Sequence, residues 1–309
     1  MASPNKRRTG DNQRQGQRFT SQEERKAAAT LPRLSQTERK QVHSRVAISA
    51  AVVHETVREE GERELARSVP ALAWSGLAAG LSMGFSLVGQ GLIVAYLPAV
   101  AWRPLISSFG YSLGFVIVVL GRQQLYTENT LTAVLPLLAH PTRRTWLRVG
   151  RLWGIVLLAN LVGGFIFATI VAQTNIFPSQ ITSALVSVAV DQMRGEFGLV
   201  VLRGMFAGWL VALMVWLLPG AETQRLWVIM LLSYFIALGG FAHIIAGSID
   251  VLYLVSRGNV GWGSFLWQFL TPTLLGNIIG GVSLVAALNY AQVAAERFAP
   301  NDARSGKTQ

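Results

Sequence analysis

Cysteine is absent from the 309 residues, which excludes disulfides, thiolate metal sites and cysteine nucleophiles. Histidine is scarce, with four residues and no pair at metal-ligand spacing. There is no Walker loop, no GxGxxG opening a soluble helix and no nucleophile elbow in a suitable context. No ordinary enzyme is therefore expected: no catalytic residue is assigned, and neither a metal nor another cofactor is anticipated. Charge is thin as well. Charged residues make up 14% of the chain, against roughly 25% in a soluble globular domain. With 51% hydrophobic residues and a mean hydropathy of +0.39, the solvent of the fold is mainly lipid.

What charge there is leans basic, a net +11 with a pI near 10.8, and lies mostly outside the apolar segments. Residues 1–41 scatter Lys6, Arg7, Arg8, Arg14, Arg18, Arg25, Lys26, Arg33, Arg39 and Lys40 among polar residues with no apolar period. They read as a disordered basic arm. Beside a membrane such an arm sets orientation or meets anionic lipid, at about 1 kcal/mol per basic residue, so no nucleic-acid partner is expected. The chain starts polar where a secretory leader needs an apolar core, so no leader is expected. Residues 42–69 mix charge with valines at a loosely helical period. That pattern suits an amphipathic helix on the membrane face or against neighbouring subunits, and a solvated helix equally well.

Residues 70–293 hold six apolar stretches, each long enough for the ~20 residues that cross a bilayer: 70–97, 104–138, 146–173, 197–218, 226–255 and 265–293. A tail follows at 294–309. The connection HPTRRTWLRVGR at 140–151 is heavily basic and falls on the same side as the N-terminal arm. The connections on the other side carry only Arg103, Arg194 and Arg257. By the positive-inside rule both termini of this multi-pass protein are expected on the cytoplasmic side of the cell membrane.

Two patterns recur in register. GLAAG at 76–80 matches GMFAG at 204–208, and Asn160 before LVGG matches Asn277 before IIGG. The expected fold is thus an all-α membrane protein of six transmembrane helices, two inverted three-helix repeats with helices 2 and 5 broken. The broken pair is identified by what a straight membrane helix should not contain, GRQQLYTENT at 121–130 and GGFAHIIAGS at 239–248. Polar side chains there need a wet lining, glycines permit unwound backbone, and a buried asparagine in each repeat can cap the adjacent break.

His243 is the one histidine deep within a span. Its imidazole can attract an anion when protonated, or hand it a proton so that it crosses uncharged. Thr127, in the opposite break, is the hydroxyl suited to orient the ring.

LYT at 125–127, GFAHIIA at 240–246 and PTLLGNIIGG at 272–281 together resemble the formate/nitrite transporter family, over roughly residues 72–290. The resemblance implies an aquaporin-like fold, a homopentamer with one pore per subunit, and passage of a small monovalent anion, with a proton, through the lipid bilayer. It makes His243 the central pore histidine, Thr127 its partner and Leu125 an apolar pore residue. Tyr111, Phe115 and Ile236 fall where constriction residues lie. The chain departs from the family pattern in Gln124 and Ala242 where acidic residues are common, in Gly208 for an asparagine, and in Gln192 for an outer lysine that Arg194 is near enough to replace. Two other readings stay open, an aquaporin-like channel for a neutral solute, which lacks an NPA motif, and a membrane scaffold or sensor that transports nothing.

Overall fold

The computed structural model describes Ser35 and residues 48–286, with side chains through Ser283. The expected arm at 1–41, the start of the 42–69 helix, the end of the sixth span and the tail at 294–309 lie outside the described residues.

Every described element is helical. Helix α1 (Ala50–Ala66) starts at Ser49, whose side chain accepts the Val52 N–H, and stops at an extended Arg67. Its buried residues Val53, Val57, Gly61 and Leu65 recur every four positions, a stripe that must find an apolar partner. The chain's own helices α5, α6 and α9, described below, cover it. An amphipathic pattern specifies a face without specifying what covers it.

The first span is a pair of helices, α2 (Val69–Met83) and α3 (Phe85–Tyr96), that together make one apolar stretch of 28 residues. The second begins as α4 (Arg103–Leu120), breaks at 121–125 and restarts as α5 (Tyr126–Thr132) and α6 (Val134–Ala139). These last two cannot fuse: Pro136 has no N–H to give the Thr132 carbonyl. Gly61 of α1 packs against that carbonyl, so closely that a Cβ would stand 1.9 Å from it. Helix α7 (Arg143–Gln173) is the third span. The connection after it is not a bare loop: it holds α8 (Ser179–Gln192), which buries Ile181, Leu185, Val188 and Ala189. Helix α9 (Phe197–Leu217) is the fourth span. The fifth, expected as one stretch with a break, is two short helices, α10 (Arg225–Leu238) and α11 (Ile244–Ser256). Helix α12 (Trp262–Ser283) closes the bundle with π-helical turns in it.

Five of these helical stretches are long and apolar enough to cross a membrane, and α10 and α11 are shorter apolar helices. Exposed Trp74, Leu158, Trp227 and Trp267 lie on their outer surfaces, as lipid-facing positions require. Packing follows the sequence repeat: α2 lies on α7, and α9 lies on α12. The half-helices α5 and α11 are held between these pairs, α5 against α7 and α9, α11 against α7 and α8.

Candidate functional site

The two breaks are built alike. Helix α4 ends with Gly121 N–H donating to the Ile117 carbonyl (2.9 Å) and Gln123 N–H to that of Val118 (3.0 Å). Helix α10 ends with Gly239 N–H on Phe235 (2.9 Å) and Phe241 N–H on Ile236 (3.0 Å). This termination needs one residue in the left-handed region, and Arg122 (φ 53°) and Gly240 (φ 62°) supply it. The chain then returns to an extended residue that starts the half-helix, Leu125 (φ −101°, ψ 127°) or His243 (φ −99°, ψ 128°). Leu125 and His243 are therefore structural counterparts.

The left-handed positions yield a stability test. Nothing lies within 4 Å of a Cβ added at Gly240, so Gly240→Ala should cost only the backbone term, about 1–2 kcal/mol. Arg122→Gly relieves the same strain but gives up the 3.2 Å ion pair with Glu60 and adds unfolded-state entropy, so a change within about 1 kcal/mol is expected. Thermal unfolding in detergent distinguishes the two.

Each break is pinned by one asparagine. Asn160 Oδ1 accepts the Tyr126 N–H (2.9 Å), while its Nδ2 donates to the carbonyls of Gly76 (2.7 Å) and Gln124 (2.9 Å). Asn277 Oδ1 accepts the Ile244 N–H (3.0 Å), and its Nδ2 donates to the carbonyls of Gly204 (3.0 Å) and Ala242 (2.8 Å). The paired glycine motifs make room for this: a Cβ at Gly80 would lie 2.2 Å from the Asn160 carbonyl oxygen, and one at Gly208 2.4 Å from that of Asn277. An asparagine at 208 has no space in this chain.

Between the breaks, His243 Nε2 lies 2.9 Å from Thr127 Oγ1, and His243 Nδ1 accepts the Ala246 N–H at 3.2 Å. A ring nitrogen that accepts carries no hydrogen, so in the neutral ring the proton is on Nε2 and is donated to Thr127. The Phe115 ring meets the imidazole edge-on at 4.9 Å between centroids, and Tyr111 packs on Phe115 at 5.4 Å. His243, Thr127, Phe115, Leu125, Ile236 and Tyr111 are all 2% exposed or less. Tyr111, Phe115, His243 and Thr127 thus follow one another in contact as a buried column, and Leu125 and Ile236 are buried in the same apolar core.

A cavity lies at each end of that column. One, of about 610 Å³, opens beside α1 and is lined by Glu60, Glu64, Arg122, Gln124 and Glu128 among others. The other, of about 270 Å³, opens at the start of α4 and the end of α8, and includes Gln90, Ser107, Tyr111, Gln192 and Ile236. Because α4 contributes its last turn to the first and its first turns to the second, they face opposite ends of the molecule. Arg194 does not enter either: it is exposed and paired with Asp191 at 2.9 Å. Among the described residues no group of His, Asp or Glu is placed to hold a metal ion.

Two features went unread in the sequence. Gln124 Nε2 donates to Glu64 Oε2 of α1 (2.7 Å), and Asn129 Nδ2 donates to Gln124 Oε1 (3.1 Å), a polar network floored by α1. A pair sixty residues apart has no signature at the level of spacing. The second is Asp250, fully buried in α11. Its signal was present, a carboxyl inside the apolar run IIAGSIDVLYLV.

The family described as formate/nitrite transporter matches this chain over residues 51–291. The inner membrane protein YfdC of Escherichia coli (strain K12) is 43% identical over 244 residues, 79% of either chain. The formate channel FocA of Haemophilus influenzae is 24% identical over 234 residues, 67% of this chain and 81% of its own. A solved pentameric formate channel with formate bound matches at a TM-score of 0.63 and 21% identity, over 77% of this chain and 99% of its own. A solved ion channel of the FNT family matches at 0.66 and 18% identity, over 78% and 99%. At these identities the structures establish the fold.

Proposed function

The chain belongs to the formate/nitrite transporter family, and from that membership we propose that it passes a small monovalent anion of the size of formate or nitrite across the inner membrane, linked to a proton at His243. The observation that carries this reading is the 2.9 Å contact between His243 and Thr127 in a buried column with a cavity at either end. A homopentamer with one pore per protomer fits the pentameric relative of like fold. The α1 end is cytoplasmic in this reading, supported by Arg143, Arg144, Arg148 and Arg151 at the start of α7.

An anion entering either cavity keeps water and polar partners until it reaches Phe115, Leu125 and Ile236. There a bare charge is costly. A protonated imidazole removes the difficulty: it transfers one hydrogen to the anion, leaving a neutral ring and a neutral acid that crosses and ionises again in the far cavity. Thr127 receives the remaining Nε2–H. The protonated ring carries hydrogen on Nδ1 too, so forming it breaks the Ala246 N–H contact, and the ring must turn within its pocket. The positive end of α11, which begins at His243, adds attraction for the incoming anion.

The anion is identified by uptake of formate, nitrite and hydrosulfide into proteoliposomes, against protein-free vesicles. Uptake of at least one above the vesicle leak, competed by the others, is expected. Passage of glycerol or urea with none of the three would favour a neutral-solute channel instead.

A further inference from the structure

His243 caps the start of α11, and Gly247 and Asp250 follow it at i+4 and i+7, which places them near one face and sets Asp250 about 10 Å along the axis from the His243 backbone. Asp250 is 1% exposed, and neither carboxyl oxygen has a hydrogen-bond partner among the described residues. The Gln192 side chain comes close enough to interact with it without forming a full hydrogen bond. Gly247 is covered by the Phe269 ring and by Gln192: an added Cβ would lie 2.5 Å from Phe269 Cζ and 3.2 Å from Gln192 Oε1, and Gln192 lines the cavity away from α1. The Tyr253 hydroxyl, one turn beyond Asp250, is likewise buried and unpartnered.

No described cation faces Asp250. Helices α2 and α12 carry no charged side chain, and α3 offers only Tyr96, which is exposed. The charged groups of α7 are the arginines of its opening turns, at the α1 end. Asp191 of α8 is exposed and paired with Arg194. Glu128 of α5 lines the other cavity. Tyr111 of α4, which lines that cavity together with Arg103, is the titratable neighbour. On α11 itself, Arg257 lies over the Tyr253 ring at 5.7 Å. An intramembrane carboxyl with no cation beside it and no full hydrogen bond is placed for function more often than for stability.

We infer that Asp250 is a proton-binding carboxyl that serves His243 from the Gln192 side: it takes a proton from water reaching it past Gln192 from that cavity, and gives it to the imidazole through water admitted when the Phe269 ring moves off Gly247. The transfer converts a carboxylic acid and a neutral ring into a carboxylate and an imidazolium, and the carboxylate is refilled from the cavity. This rests on the proton-linked reading above.

The test is anion flux in oriented proteoliposomes with acid applied to one side at a time, for wild type, Asp250→Asn and Asp250→Glu. Asp250→Asn is expected to lose acid stimulation, by tenfold or more, when acid is on the Gln192 side and to keep it when acid is on the α1 side. Asp250→Glu is expected to keep both. Acid stimulation retained by Asp250→Asn on both sides, or lost on both, overturns the inference and leaves the proton-linked reading standing. A wild type with no acid stimulation overturns that reading first, and this one with it. Should Asp250→Asn fail to assemble, infrared difference spectra between alkaline and acid buffer decide on the intact protein. A titrating carboxyl band whose frequency moves in Asp250→Glu and stays in Glu128→Gln supports Asp250, and spectra of Asp250→Glu identical to wild type contradict it.

Discussion

Asn277→Ala is expected to destabilise the protein by about 3 kcal/mol, and Asn160→Ala by a similar amount. Each side chain serves three backbone groups at once, one N–H at the start of a half-helix and two carbonyls. Both asparagines are fully buried, so no bulk water replaces them. A buried polar group left without its partner costs about 1–3 kcal/mol. The Ile244 and Tyr126 N–H groups contribute most, because no preceding helical carbonyl is available to a first-turn amide. The carbonyls of Gly204 and Gly76 sit within helices and lose less. Asn277→Asp is expected to be worse than alanine, since it sets a second acceptor against the carbonyls of Gly204 and Ala242. Thermal unfolding in detergent measures each; a loss below about 0.5 kcal/mol for the alanine variants would mean that the breaks hold without them.

Thr127→Val is expected to slow anion passage by roughly 5- to 100-fold while Thr127→Ser stays close to wild type. Valine keeps the shape of threonine and removes the oxygen that stands 2.9 Å from His243 Nε2. The ring then has an N–H with no acceptor in a column whose other walls are Phe115, Leu125 and Ile236. That penalty, about 1–3 kcal/mol, converts at about 1.4 kcal/mol per decade. Serine restores the oxygen on the same backbone. Equal flux for Thr127→Val and wild type would remove Thr127 from the transport step.

The sequence made the breaks legible because membrane helices tolerate so little: Arg122, Gln124 and Asn129, or three glycines around a histidine, cannot belong to a straight apolar rod. The asparagines were legible for the same reason, and the glycine motifs opposite them supplied the space that their contacts require. Other features depend on contacts that spacing does not encode. The packing of α1 on its own chain rests on Gly61 meeting the Thr132 carbonyl, and the network under the column rests on Glu64 meeting Gln124. Helix α8 is not legible in the sequence because its moderate polarity resembles that of a connection. Asp250 was missed because its neighbours are apolar enough to mask one carboxyl, although a lone charge in such a run is itself informative.

The central claim is that His243 links a proton to anion passage. The most direct measurement is formate and nitrite flux into proteoliposomes across a series of pH values, for wild type and His243→Asn, with assembly checked for both. The account predicts flux that rises as pH falls in the wild type and a loss of that component by about 100-fold in His243→Asn, the range typical of a positioned proton donor. The same pH-dependent flux from both proteins would contradict it.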